Sequence, residues 1–227
     1  MALLIKICGL KTPEAIEVSL ESGADMVGFV FFGPSPRSLS LKAASVLETH
    51  VKGRALKVAL TVNATDELLH GIVDALKPDM MQLHGTETVE RVAVVRSRFG
   101  LPVMKALPIA TRADLSPIRL YAKVADRLIF DARAPQDATR PGGLGKPFDW
   151  TLLQGADPGV PFMLSGGLNA GNVAEAIRIT GAPGVDVSSG VERAPGEKDP
   201  DKIRAFMRAA RATDTLQLDA SKIVSSA

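Results

Sequence analysis

Eight short apolar runs, each followed by a stretch with helical spacing, constrain this chain more than any other feature of its sequence. The runs are residues 3–8, 26–31, 55–62, 80–83, 102–106, 127–130, 162–164 and 184–187. Helical patterns follow at 13–22, 41–50, 66–76 and 87–99, weakly within 114–124, around 149–153, and at 170–179 and 200–212. The first of these starts with Thr12, a good N-cap, and Pro13, which suits the first helical position. Such alternation implies parallel strands joined by right-handed crossovers. The count of eight, and the lack of a G-x-G-x-x-G turn after the first strand, favour a closed barrel over an open doubly wound sheet. The expected fold is therefore α/β: a single (β/α)8 TIM barrel over residues 1–212, followed by a tail, 213–227, that lacks periodicity.

A length of 227 residues fits one such domain, near the lower end of its range. A net charge of +2, with no Lys/Arg block and no basic stripe interleaved with aromatics, gives no reason to expect a nucleic-acid partner. A small anion would need only a local site. One cysteine permits no internal disulfide and fits a reducing compartment. The start, MALLIKICGL, is too short an apolar run for a signal peptide, and no run of about 18 apolar residues exists to cross a membrane. The three histidines, His50, His70 and His84, fall in different elements without the spacing of metal ligands. These features lead us to expect a cytoplasmic protein, monomer or homodimer, with neither a metal nor a membrane or nucleic-acid partner.

In a barrel of this kind, chemistry collects where strands end and the following loops begin. At those ends stand Cys8-Gly9, Phe32-Gly33, Thr61-Val62-Asn63, His84-Gly85, Ala106-Leu107, Asp131, Ser165-Gly166-Gly167 and Ser188-Ser189-Gly190. The last two are the expected phosphate site. Glycines let backbone N–H groups approach an anion, a helix predicted near Asn169 or Ala170 adds its dipole, and loops seven and eight commonly bind phosphate in this fold. Cys8 is a candidate nucleophile or general base; Lys6 and Lys11 lie close in sequence and would favour its thiolate. A lone cysteine is otherwise a small buried apolar residue. Asp131 opens the longest loop and is a candidate acid, base or hydroxyl ligand, against the plainer reading of a loop salt bridge with Arg133. His84 shares a face with Gln82, and could contact substrate or be structural. Arg37, in a loop stiffened by Pro34 and Pro36, suits a carboxylate. Strand parity points Lys6 and Asp186 into the barrel, where a buried charge needs a partner, so the two are expected to pair.

Lys6-Ile7-Cys8-Gly9-Leu10, Gln82-Leu83-His84-Gly85, Gly142-Gly143-Leu144-Gly145-Lys146 with Phe148-Asp149-Trp150, Leu164-Ser165-Gly166-Gly167-Leu168 and the run from Gly184 to Glu192 resemble phosphoribosylanthranilate isomerases. The resemblance spans about residues 3 to 210, with the motifs in the family's order and spacing. It implies a general base at Cys8, a general acid at Asp131 and a carboxylate-binding Arg37. It also brings Gly143 and Gly145 into the substrate site, and needs no cofactor, because the substrate carries its own electron sink. Leu144 departs from the family, where Thr is common. The rivals are another sugar-phosphate enzyme on the same barrel and a silent phosphate-ligand binder. The histidine-pathway aminoaldose isomerase uses two aspartates, which Cys8 argues against, and a silent binder would not need both Cys8 and Asp131. A Schiff-base aldolase would want a lysine on strand six, and only Lys105 on strand five stands nearby.

Overall fold

The computed structural model describes residues 2–135, 137–143, 145 and 147–224, with side chains up to residue 213. Eight parallel strands close into a barrel: β1 (Leu4–Cys8), β2 (Met26–Phe31), β3 (Leu56–Thr61), β4 (Met80–Leu83), β5 (Val103–Ile109), β6 (Arg127–Ala132), β7 (Phe162–Leu164) and β8 (Gly184–Val187). Closure is the pairing of β1 with β8, in the register Leu4↔Gly184 to Ile7↔Val187. Helices α1 (Pro13–Glu21), α2 (Leu41–Val51), α3 (Asp66–Leu76), α4 (Val89–Phe99), α5 (Ile118–Tyr121), α6 (Val173–Thr180) and α7 (Pro200–Val224) link the strands and follow the last; among the described residues the β6-to-β7 link has only a 3-10 turn, Trp150–Leu153. Among the described residues no helix is long and apolar enough to cross a membrane.

Period-two alternation divides the core into two compartments. Met26, Val58, Met80, Met104, Ala106, Ile129 and Met163 fill the barrel interior. The opposite faces of the strands, carrying Ile5, Ile7, Val27, Phe29 and Phe130, pack against the helices. Methionine's unbranched, adaptable side chain suits the irregular barrel axis. Threonine or serine caps begin four helices: Thr12, Ser40, Thr65 and Thr88 accept from Ala15 N, Ala43 N, Leu68 N and Arg91 N.

The boundaries differ from the sequence reading at informative places. With Thr88 as its cap, α4 begins at Val89 rather than at residue 87, which frees the Glu87 side chain for other work. An Asx turn, in which Gly171 N donates to Asn169 Oδ1, together with Asn169 N donating to Asn172 Oδ1, holds α6 back to Val173, well past the expected start. Strand β5 runs on through Pro108 to Ile109, so Ala106-Leu107 is not its end. It pairs with β4 only at Val103–Lys105, and beyond that only with β6, so a residue lacking N–H is tolerated on the open side. A hairpin of β9 (Glu192–Ala194) and β10 (Glu197–Lys198) was not expected. Helix α7 continues past Ala212, where the sequence pattern fades.

Lys6 and Asp186 pair as expected, Nζ to Oδ1 at 2.8 Å, both buried and directly opposite across the β1–β8 seam. Burial alone would lower the lysine's pKa; Asp186 and Cys8 outweigh it and push the value up to about 12. An unfolded lysine titrates near 10.4, so the pair's contribution is complete below about pH 10 and is lost as pH rises through about 12. Lys6→Met should cost about 3–5 kcal/mol in urea denaturation, because it leaves Asp186 as a bare buried charge. Lys6→Met with Asp186→Leu should recover part of that loss; a double variant no more stable than the single one would refute the pairing energetics.

Candidate active site

A cavity of about 610 Å³ opens at the C-terminal ends of the strands. Cys8, His84 and Asp131 stand on its wall, carried there by the ends of β1, β4 and β6. Asp131 does not pair with Arg133, which binds Asp114 instead. Its Oδ2 meets His84 Nε2 at 3.0 Å, and its Oδ1 accepts from Ala132 N at 2.9 Å. Gln82 Nε2 lies 3.0 Å from His84 Nδ1. An amide NH2 can only donate, so in this arrangement Nδ1 accepts and the neutral ring directs an Nε2–H at Asp131. Gln82 Oε1 is buried and has no hydrogen-bond partner among the described residues.

Cys8 lies beside Lys6, and Gly28 of β2 makes room for both. A Cβ at residue 28 would stand 2.8 Å from Cys8 Sγ and 3.1 Å from Lys6 Nζ. Burial pushes the Cys8 thiol up from its ordinary value, Lys6 and Lys198 pull it down, and Asp186 pushes it up again. Lys11, expected to help, instead donates to the Pro36 carbonyl.

Gly166, Gly167, Ser165, Ser188 and Ser189 form another part of the wall. Gly166 has φ +87°, and an added Cβ would come within 2.5 Å of Ala132 N and 3.0 Å of Asp131 Oδ1, so only glycine brings this loop so near the Asp131 carboxyl. Gly190 is not on the wall; it packs behind it against the Leu168 carbonyl. Gly143 and Gly145 line the cavity from the loop after β6, and Leu144 lies outside the described residues.

Arg37 lines the cavity but is neither solvated nor unpartnered. It is 4% exposed, and Glu192 grips it bidentately, with Nε to Oε1 at 2.7 Å and Nη2 to Oε2 at 2.8 Å. Lys198 Nζ approaches the same Oε1 at 2.8 Å. Sequence reasoning missed Glu192 as a partner and Lys198 altogether, because they sit in a hairpin too short and too polar to show a strand pattern. Lys105 does not reach the cavity as a Schiff-base lysine would. It is buried, and donates to Glu87 Oε2 at 2.9 Å and to the Leu83 and Gly85 carbonyls at 3.2 and 2.7 Å.

A family model described as N-(5'-phosphoribosyl)anthranilate (PRA) isomerase matches residues 5–209. The chain belongs to the phosphoribosylanthranilate isomerase family. A relative named N-(5'-phosphoribosyl)anthranilate isomerase, from Bradyrhizobium diazoefficiens, is 65% identical over 213 residues, covering 94% of this chain and 96% of its own. The phosphoribosylanthranilate isomerase of Thermotoga maritima superposes with a TM-score of 0.84 at 34% identity, covering 92% of this chain and 99% of the other. A further solved structure of the family, in complex with reduced 1-(o-carboxyphenylamino)-1-deoxyribulose 5-phosphate, gives 0.81 at 32% identity, with coverage of 92% and 99%. As in other (β/α)8 enzymes, the phosphoribosylanthranilate isomerase site of this chain draws its polar groups from several strand ends rather than from one segment.

Gly28→Ala tests the packing around the thiol. The added methyl must displace Cys8 Sγ or Lys6 Nζ, so turnover should fall by at least about tenfold while the protein stays folded at 25 °C. Steady-state kinetics alongside a melting curve would show this, and unchanged turnover would mean the thiol needs no such fixed seat.

Proposed function

We propose that this chain converts N-(5'-phosphoribosyl)anthranilate to 1-(2-carboxyphenylamino)-1-deoxyribulose 5-phosphate, an Amadori rearrangement of tryptophan biosynthesis, with Asp131 as general acid and Cys8 as general base. The observation that carries this reading is that one cavity wall holds both groups, together with a buried arginine and two Ser/Gly loops. The arginine suits a carboxylate and the loops suit a phosphate, which are the two anionic groups of the substrate.

Protonated Asp131 donates from its carboxyl to the furanose ring oxygen. The C–O bond to C1 breaks as the anthranilate nitrogen's lone pair forms a C1–N iminium. The cation acidifies the proton on C2, and the Cys8 thiolate removes it. The C–H electrons become the C1–C2 double bond of an enolamine, while the iminium π electrons return to nitrogen. Tautomerisation moves a proton from the C2 hydroxyl to C1, leaving the ketone, so the net change is an isomerisation. The substrate's own nitrogen is the electron sink, and the chemistry calls for neither metal nor organic cofactor.

The acid needs a proton on Asp131, and the Gln82 amide bears on how it is held. Turning that amide by half a revolution brings Oε1 onto a His84 Nδ1–H. Nε2 is then free to accept from protonated Asp131, and the orphaned Oε1 gains a donor. The base needs a thiolate despite burial, and Lys6 and Lys198 are the groups that oppose burial there.

The phosphate is assigned to the Gly166-Gly167 and Ser188-Ser189 loops, with Ser165 and Gly190 supporting them, and the carboxylate to Arg37. His84, Gly143 and Gly145 complete the substrate's surroundings. Glu192 occupies the Nε/Nη2 edge of Arg37 and the Gly143 carbonyl accepts from Nη2 at 3.4 Å, so Nη1, which has no hydrogen bond among the described residues, is the group assigned to a ligand.

Loss of phosphoribosylanthranilate fluorescence on adding purified protein tests the activity directly. Cys8→Ala and Asp131→Asn should each lower kcat by about a thousandfold with little change in substrate affinity. Near-normal turnover in either variant would sink the acid–base role of the residue replaced. Arg37→Ala should chiefly raise KM, by roughly ten- to a hundredfold, as expected for the loss of a charge-assisted bidentate contact. An unchanged KM would place the carboxylate elsewhere.

A further inference from the structure

Two charged side chains that take no direct part in the chemistry above are buried behind the cavity wall. Glu192 and Lys198 have side chains 4% and 2% exposed, and they face each other across the hairpin β9–β10, which lies outside the eight-stranded sheet. Glu192 accepts from Arg37 Nε and Nη2, from Lys198 Nζ, and from Gly196 N at 3.2 Å. Lys198 donates also to the Ser188 carbonyl at 2.8 Å and to Ser188 Oγ at 3.3 Å. Ser188 Oγ in turn donates to the Cys8 carbonyl at 3.1 Å. A continuous chain of charged hydrogen bonds thus runs from the arginine to the loop after β8.

Burying both ions is costly, and apolar residues would fill the same space more cheaply. What the ions add over apolar filling is direction. A guanidinium held on one edge cannot rotate about its last torsions, so the other edge faces a fixed way. A lysine that holds both the carbonyl and the hydroxyl of Ser188 sets the position of that loop's backbone.

We infer that Glu192 and Lys198 form a strut that positions Arg37 and the Ser188 loop relative to each other, so that one substrate's carboxylate and phosphate are met together. Both are positioning residues, since each acts through another group. The inference rests on the reading of Arg37 and the Ser188 loop as the two anion-binding elements.

Charge predicts a uniform change and position a change that depends on the ligand, which makes the strut testable. Glu192→Gln removes a negative charge, so electrostatics alone would tighten every anion in the site. Lys198→Met removes a positive charge and would, by electrostatics alone, weaken every anion. The strut predicts a split by ligand. Binding of anthranilate and of inorganic phosphate to the full-length protein would be measured by titration calorimetry and as competitive inhibition. Glu192→Gln should weaken anthranilate by about tenfold and leave phosphate equal or tighter. Lys198→Met should weaken phosphate by about tenfold and leave anthranilate within about twofold, because Glu192 still grips Arg37. If Lys198→Met does not fold, Lys198→Leu, which also removes the ammonium and every donor, is held to the same expectation. A uniform change in both ligands, in the direction charge dictates, or no change at all, overturns the strut. If the parent protein binds neither anion competitively with substrate, or if Arg37→Ala leaves anthranilate binding intact, the assignment of the anion sites falls and the strut with it. That failure is visible before any hairpin variant is made.

Discussion

The ion pair between Lys6 and Asp186 is the interaction on which the barrel and its site both lean. The β1–β8 seam joins the two ends of the chain's fold, and no turn sets its register as a hairpin would. A slip of one residue would turn every side chain of β1 to the other face, carrying Lys6 out of the barrel and Cys8 away from the cavity. A buried ammonium with one carboxylate directly opposite penalises that slip heavily. Ser165 Oγ donates to the other oxygen of Asp186 at 3.2 Å, which ties β7 into the same node. Three strands that carry site residues are thus aligned by one carboxylate.

The same logic recurs around the mouth, where each buried charge is held by more than one partner. Lys105 is clamped by Glu87 and by the carbonyls of Leu83 and Gly85, the residues on either side of His84. Glu87 also accepts from Gly85 N and Asn63 N, joining the loops after β3 and β4. Neither group touches the cavity wall. Their effect is to stiffen the backbone that carries His84, and through it the carboxyl of Asp131. Burial lowers the lysine's pKa and outweighs the opposing effect of Glu87, so the net shift is downward. A site built on loops acquires in this way a rigidity that loops do not have by themselves.

Much of this could be read from residue order, and what could not has physical causes. Parity and strand ends suffice for Cys8, Asp131, His84 and the Lys6–Asp186 pair, because a strand's period of two is strict and the fold places its chemistry at one end. The glycines of the two Ser/Gly loops proposed for phosphate announce themselves by type. Arg37 was visible as a residue but not in its setting, since Glu192 lies 155 positions away and no local pattern links them. The hairpin that brings Glu192 and Lys198 together is two and three residues a side, with charged rather than alternating apolar residues, so no periodicity could form. Gly28 did leave a signal. A glycine within an otherwise apolar strand commonly marks a close approach, and in this barrel the approaching groups are a thiol and an ammonium.

The choice of a thiol rather than a carboxylate at the end of β1 follows from what surrounds it. Asp186 already neutralises Lys6, and its field already opposes a second negative charge at Cys8. A carboxylate at position 8, when ionised, would compete with Asp186 for the same ammonium and would carry a large solvation cost into a buried position. A thiol avoids this, because it is neutral and nearly apolar until it loses its proton. In the proposed mechanism it waits uncharged and becomes a base when the substrate is in place. The cost appears as a thiol pushed above its ordinary range, offset by two lysines, Lys6 within the barrel and Lys198 behind the wall. In the proposed mechanism those two cations, neither of which touches the substrate, set how readily the base forms; the strut that orients the anion sites would then also help to charge the thiolate.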